Sequence, residues 1–235
     1  MADATVAEEE YLQIIFWLHE AGLPMTGANV ARAMQLSAPT VHEMVGRLER
    51  DGYITRASDK SISFTEEGLS QAEAVVRRHR LIERFLTDVL GIPWHEVHEE
   101  AERLEHAMSP VLEERMLAAI GDAKTCPHGH PIHPGERISG VPLADVEVGA
   151  KITVLRFENE AEDLLALFAE VGMEPGADGT VATSDGEHVS VDFGDHTATV
   201  TPSVAETISV LADPSPPPRT ALPEQLVLGR ERYGR

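Results

Sequence analysis

The sequence predicts a mainly α-helical chain that closes in a small β module, and three observations predict it. Apolar residues recur at helical spacing through roughly the first half of the chain. Its opening shows a helix, helix, turn, helix, hairpin order. Short strand-like runs with Asp and Gly turns fill the region beyond residue 150. At 235 residues the chain exceeds what one core usually organises, so two or three modules are expected.

Residues 7–21 read as a helix with Leu12, Ile15, Phe16 and Leu18 on its apolar side, stopped by Gly22 and Pro24. Residues 26–34 form a second, short helix, and Gln35 and Leu36 a turn. Ser37 suits the N-cap of a third helix that runs to about Asp51 and ends at Gly52. Two short β runs follow, Tyr53–Arg56 and Ser61–Phe64, which completes a winged helix-turn-helix order. Longer helices are predicted over 65–90 and 94–119, separated by Gly91 and Pro93. Residues 121–142, rich in Gly, Pro and His, read as a linker. Strands are predicted at Lys151–Glu158, Gly179–Thr183, His188–Phe193, Thr197–Val200 and Ile208–Val210, with one helix at Ala161–Val171, and suggest a small barrel. The expected modules are 1–73, 74–140 and 141–212, with a proline-rich tail over 213–235 read as disordered.

The net charge of −21 argues against a generic nucleic-acid binder and favours attraction of divalent cations. One stretch escapes the acidity: residues 27–60 carry Arg32, Arg47, Arg50, Arg56 and Lys60 and a net charge of +1. The acidic N-terminus does not resemble a signal peptide, and no apolar run is long enough to span a bilayer, so no membrane partner is expected. The single cysteine, Cys126, excludes an intrachain disulfide and fits a reducing cytoplasm.

In the third helix Val41, Met44, Val45 and Leu48 take the inward spacing, which leaves Ser37, Pro39, Thr40, His42, Glu43 and Arg47 facing out. A recognition helix presents its N-terminal side chains to base edges in the major groove. Ser37 and Pro39 suit thymine methyls, while Arg47, Arg50 and Lys60 on the wing suit phosphates. Double-stranded operator DNA is thus the expected partner; the alternative is a winged helix used for protein contacts.

Two helices also carry metal-ligand chemistry. His79 and Glu83 stand one turn apart among apolar positions, where an unpaired carboxylate costs several kcal/mol. Farther on, His98, Glu102, Glu105 and His106 share an arc, and Glu102, Glu105 and His106 have the i, i+3, i+4 spacing that lets side chains meet. Glu10, at the start of the first helix, is a candidate to complete that second site. Set against this are a hydrogen-bonded His–Glu pair and a solvated acidic face. Cys126, His128, His130 and His133 look like a metal knuckle, but their spacing matches no regular zinc pattern and is read as surface linker.

The segments SAPTVHEMVGRLERDGYI, RRHRLIERFL, VHEEAERLEHAMS and CPHGHPI together resemble the DtxR/MntR family of iron- and manganese-dependent repressors. LADVEVGAKITV resembles the start of the SH3-like domain, of FeoA type, that larger members carry. The resemblance implies a homodimer, a helical metal-binding and dimerisation domain, and two metal sites per subunit. It implies a primary site at Glu10, Glu102, Glu105 and His106 and an ancillary site at His79, Glu83 and His98. Glu162 and Asp163 are candidates to join the ancillary site from the SH3-like domain. Iron-type members have Met and Cys where this chain has Glu10 and Glu102. Hard carboxylates at those places suit Mn²⁺, with Fe²⁺ the alternative cofactor. Gln13 stands where some manganese-type members add a carboxylate, and Glu43 where some iron-type members have Gln. Repression of metal-uptake genes is the implied function. A metalloenzyme with a small-molecule substrate is the rival from another class, but neither H-E-x-x-H nor paired E-x-x-H spacing occurs. A metal-independent regulator is the remaining alternative.

Overall fold

The computed structural model describes residues 4–216; the part of the proline-rich tail from residue 217 on lies outside the described residues. The chain begins with α1 (Val6–Glu20), α2 (Gly27–Met34) and α3 (Ala38–Arg50), followed by an antiparallel hairpin of β1 (Ile54–Arg56) and β2 (Ile62–Phe64). Ser37 caps α3 as its sequence suggests: its Oγ accepts from Thr40 N at 3.3 Å. Leu12, Ile15, Phe16, Val41, Val45, Leu48, Ile54 and Ile62 close the first core.

Helix α4 (Glu66–Asp88) crosses the expected boundary between residues 73 and 74 without a break. Its first half, through Val75 and Val76, belongs to the N-terminal core. Leu81, Ile82 and Leu86 belong to a second core with Val97, Ala101, Met116 and Ile132. One element therefore serves both modules, and it enters the first against the backbone of Tyr53, just ahead of β1. A Cβ on Gly68 would lie 1.8 Å from the carbonyl oxygen of Tyr53, so only glycine allows this approach.

The single helix expected over 94–119 is instead three pieces: α5 (Val97–Leu104), a 3₁₀ turn (Glu105–Ala107) and α6 (Pro110–Ala119). Pro110 cannot donate to a continuing helix and disfavours helical backbone at Ser109, which is extended and caps α6 through Leu112 N. The break matters because Glu105 and His106 sit on the tight turn rather than on a regular helix.

The third module is a six-stranded antiparallel sheet in the order β3 (Val141–Pro142), β8 (Ile208–Asp213), β4 (Lys151–Phe157), β5 (Asp178–Ser184), β6 (Val189–Asp192) and β7 (Thr197–Val200). α7 (Glu162–Glu170) follows β4, and the one-turn helix α8 (Pro202–Ala205) precedes β8. Phe157 stacks on Phe168 at 4.2 Å inside its core. Trp94, just ahead of α5, stacks on Phe157 at 5.7 Å and docks this sheet onto the helical module. No helix among the described residues is long and apolar enough to cross a membrane.

Candidate metal centre

Alternating phases of α1, α4 and α5 bring imidazoles and carboxylates to one place between the modules. His79 and Glu83, one turn apart on α4, are both buried. His79 Nε2 lies 2.9 Å from Glu83 Oε1, and His98 Nδ1 on α5 lies 3.1 Å from the same oxygen. The sheet module adds Glu160, whose Oε2 is 2.9 Å from His98 Nδ1. One donor atom from each of His79, Glu83, His98 and Glu160 falls within 4.8 Å of the other three.

Glu160 takes the place expected for Glu162 and Asp163. Glu162 is exposed in the first turn of α7, and the Asp163 carboxylate accepts from Leu164 N at 3.0 Å. The reason is local: Asn159 Oδ1 accepts from Ala161 N, turning the chain after β4 so that residue 160 faces inward before the helix starts.

The segment read as surface linker is also placed differently. Cys126, His128 and His130 are buried, and Ile132 plugs the second core. Arginines of α4 hold the segment by its backbone: Arg84 donates to Thr125 O at 2.7 Å and Cys126 O at 2.9 Å, and Arg80 to Pro131 O at 3.0 Å. Gly129 lets it press on β4; its φ is +94°, and a Cβ there would lie 1.9 Å from Leu155 O. Glu83, Cys126, His128 and Glu160 thereby form a second group with donors within 4.8 Å, sharing both carboxylates with the first. His133, by contrast, is exposed.

Electrostatics tie these groups together. Burial opposes charge on His98, yet hydrogen bonds to Glu160 and Glu83 outweigh it and push the imidazole up to about 10. His79 is likewise held well above the usual histidine value, against its burial, by Glu83 and Glu105. Burial and the neighbouring Glu83 charge work against ionisation of Glu160, but His128 and His98 bring it down to about 2. Burial pushes the Cys126 thiol up, and Glu83 and Glu160 add to that. Two features suit a bound cation. Glu83 Oε2 is buried with no hydrogen-bond donor, and the donor-bearing nitrogens His79 Nε2 and His98 Nδ1 approach to 3.2 Å.

The expected primary residues lie one step away. Glu105 is buried; its Oε2 is 2.6 Å from His79 Nδ1 and accepts from Gln13 Nε2 at 3.1 Å. Its Oε1 is 3.3 Å from His106 Nε2. Glu102 Oε1 is 3.7 Å from His98 Nε2. Helix α1 supplies a carboxylate here, but it is Glu9: its Oε2 is 2.7 Å from His106 Nδ1, and its Oε1 accepts from Arg78 at 2.7 Å. Glu10 is exposed, because the helical phase that buries Tyr11 and Leu12 turns it aside.

On the opposite side of the N-terminal module, Ser37, Pro39, Thr40, His42, Glu43 and Arg50 are exposed along α3, and Lys60 at the wing tip. Arg47 is partly engaged. Its Nε lies 3.0 Å from Glu8 Oε1 and 3.5 Å from Asp51 Oδ2. Arg56 pairs with Glu49 and ties the wing to α3.

Comparison with known proteins bears on both surfaces. The family profile "Iron dependent repressor, N-terminal DNA binding domain" matches residues 3–62. "Iron dependent repressor, metal binding and dimerisation domain" matches 65–134, and "FeoA domain" matches 141–212. The diphtheria toxin repressor of Corynebacterium jeikeium is 36% identical over 223 residues, spanning 83% of this chain and 92% of that protein. The chain belongs to the DtxR family. It is a metal-dependent transcriptional repressor, and the family is one of repressors, not enzymes. The iron-dependent repressor IdeR of Mycobacterium tuberculosis is 36% identical over 204 residues, covering 80% of this chain and 89% of that one. Among solved structures, a manganese-dependent transcriptional repressor in complex with manganese aligns with a TM-score of 0.78 at 30% identity, covering 87% of this chain and 99% of that one. ScaR with bound Zn²⁺ aligns at 0.72 and 28% identity, covering 86% and 98%.

Within this DtxR-family fold, sequence reasoning missed Glu160, Glu9 and Glu8, and it set Cys126 and His128 aside as surface linker because their spacing matches no regular zinc pattern. Glu160 lies two and three residues from the expected Glu162 and Asp163, and its signal was the turn at Asn159. The separate roles of Glu8 and Glu9 follow from the azimuth of α1, which periodicity gives only to within a residue.

Proposed function

We propose that this repressor is activated by Mn²⁺, binds a two-fold operator as a homodimer in the cytoplasm, and controls metal-uptake genes. The observation that carries the manganese reading is the donor set around His106. Glu9 and Glu105 contact it, and Glu102 precedes it by four residues, so these side chains offer oxygen and nitrogen donors and no sulfur. Hard carboxylates favour Mn²⁺ over later metals in ligand type, and cellular supply contributes the rest of the selection. Glu102, Glu105 and His106 would hold the ion with a carboxylate from α1; His79, Glu83, His98 and Glu160 would hold the ancillary one. When bound, the cation supplies the positive charge that lets these carboxylates converge.

The residues do the switching. With no ion bound, Glu9 rests on His106 and Arg78, and Glu105 on His79 and Gln13, so α1 meets α4 and the 3₁₀ turn through contacts of the same side chains that would ligate the ion. Drawn onto one cation, these side chains would hold α1, and with it the winged helix, at one angle to the dimer axis. Two α3 helices then match half-sites separated by whole helical turns. Exposed Val89, Leu90, Leu104, Val111 and Leu112 at the ends of α4 and α5 and on α6 offer the apolar face that a second copy would cover. Ser37, Pro39, Thr40, His42 and Glu43 are proposed to face bases, and Arg47, Arg50 and Lys60 phosphates.

Iron is the second reading, favoured by Cys126. Its sulfur stands among Glu83, His128 and Glu160, a softer set, and the curated relatives named above include an iron-dependent repressor. The test is a titration of chelator-treated protein with Mn²⁺, anaerobic Fe²⁺ and Zn²⁺ while following binding to a random duplex pool. Activation at micromolar Mn²⁺ that is lost in Glu102→Ala supports manganese. Activation by Fe²⁺ alone overturns the carboxylate argument. Comparing Glu9→Gln with Glu10→Gln shows which α1 carboxylate takes part.

A further inference from the structure

Helix α1 meets the metal-binding half of the chain along a single stripe. Glu9, Gln13, Trp17 and Glu20 fall within about 80° on a wheel of 100° per residue. The N-terminal half of the stripe touches the primary residues, through Glu9 on His106 and Gln13 on Glu105. The C-terminal half touches something else. The Trp17 ring lies 5.6 Å from that of His79, edge-on, and 6.0 Å from that of His98. Glu20 pairs with Arg80, the residue next to His79. Arg137 Nη1 is 3.7 Å from Glu20, and its Nη2 donates to Glu158 of the sheet module at 2.6 Å.

We propose that Trp17 and Glu20 are positioning residues that couple the ancillary centre directly to the DNA-binding module, in parallel with the route through Glu9 and His106. This rests on the metal-activated reading above. Trp17 belongs to the first core on one side and borders two ligand imidazoles on the other. Those rings lie 4.8 Å apart and 69° from parallel. The indole lies beside both rings, so a change in the orientation of either imidazole would press on it. A cavity of about 30 Å³ beside Trp17, Glu20, His98, Arg137 and Glu160, room for about one water, gives it space.

Glu20 makes the movement directional. The Arg80 and Glu20 side chains are 3% and 8% exposed, so separating them would leave a buried guanidinium uncompensated. That end of α1 is pinned to the turn of α4 that carries His79. The other end is held by half-buried groups, Glu9 with His106 and Arg78. Helix α1 therefore pivots about its C-terminal end, and the ancillary centre sits at the pivot.

Two measurements test this. The chain has two tryptophans, so in a Trp94→Phe background Trp17 emission reports alone. Titrated with Mn²⁺ in the absence of DNA, that emission is expected to change with the first ion bound and still to change in a His106→Ala chain. The second measurement is the ratio of DNA affinities with and without metal. Trp17→Leu and Glu20→Gln are each expected to cut it by about fivefold or more, within the usual range of allosteric coupling. Metal stoichiometry and midpoint off DNA should stay within about twofold, and Trp17→Phe, which keeps a ring edge, should retain the ratio. Emission that follows only the His106-dependent step overturns the proposal, as does an unchanged ratio in both variants. If Trp17→Leu does not fold, Glu20→Gln and the emission decide. A wild-type chain whose DNA binding ignores metal defeats the repressor reading instead, and leaves the emission result to stand by itself.

Discussion

Metal loading at the ancillary centre should release protons, and its apparent affinity should rise with pH. A ligating imidazole must be neutral. In the metal-free fold His98 is raised to about 10, and His79 is also held well above the usual histidine value. Near pH 7 both are charged. Removing the His98 proton there costs about 4 kcal/mol, three units at about 1.36 kcal/mol each. The sign follows from the raised value. Stability from charged His98 is fully present below the unfolded pKa of about 6.5 and is lost as pH climbs through about 10. An incoming cation competes with that proton at every pH below about 10, so affinity should rise about tenfold per pH unit for each proton displaced. With His79 contributing, the slope approaches two. Glu83 and Glu160, held low by the same contacts, contribute no proton. Calorimetric titration with Mn²⁺ in buffers of different ionisation enthalpy counts the protons directly. The expected number is close to two, falling by about one in His98→Gln. A count near zero, or one unchanged in that variant, would refute the charged-imidazole picture.

Other outcomes follow from the same contacts. Glu160→Gln should weaken ancillary binding by at least about tenfold in a metal titration, while Glu162→Gln and Asp163→Asn leave it within about twofold. Equal effects from all three would show that the turn at Asn159 does not select the ligand. Gly129→Ala places a Cβ against the β4 backbone at positive φ. The backbone conformation alone costs about 1–2 kcal/mol, so the melting temperature and ancillary affinity should fall together. Glu8→Gln should release Arg47 toward the DNA face, raising metal-free DNA affinity. If the freed guanidinium meets a phosphate, the log–log salt slope steepens by about 0.9, and an unchanged slope would place Arg47 away from the backbone.

What was legible in the sequence divides along a physical line. Local signals placed the elements: Ser37 as a cap, Gly52 as a stop, and alternation in the strands. The fold class follows from these, because winged-helix order and short strands are set by near neighbours. The predicted helix over 94–119 failed for a local reason that was present but outweighed. Pro110 broke it, while the surrounding residues kept helical spacing. The module boundary at 73 was not legible because α4 changes core partner without changing its own periodicity.

The site divides differently. His79 and Glu83 were readable because burying ligand-type residues at apolar positions is costly without partners, and that cost shows within one segment; His98 was readable from the arc it shares with Glu102, Glu105 and His106. Glu160 and His128 depend on two separate turns. Each is set by a short-range device, Asn159 in one and Gly129 in the other, but their convergence depends on how the sheet docks through Trp94. The glutamate triplet at 8–10 shows the limit most sharply. Its three members have the same side chain and adjacent positions, yet α1 sends Glu8 to Arg47, Glu9 to His106 and Glu10 to solvent. A 100° step per residue separates these fates, and three identical residues in a row erase the composition signal that would assign them. The same step makes the arrangement useful. Glu8 and Glu9 leave the same turn of α1 for different partners, so a displacement of that turn that shifts Glu9 against His106 would move Glu8 relative to Arg47 at the same time. Metal capture and release of the DNA-facing arginine would then be one movement, and measuring Glu8→Gln and Glu9→Gln singly and together would show it as non-additive DNA affinities.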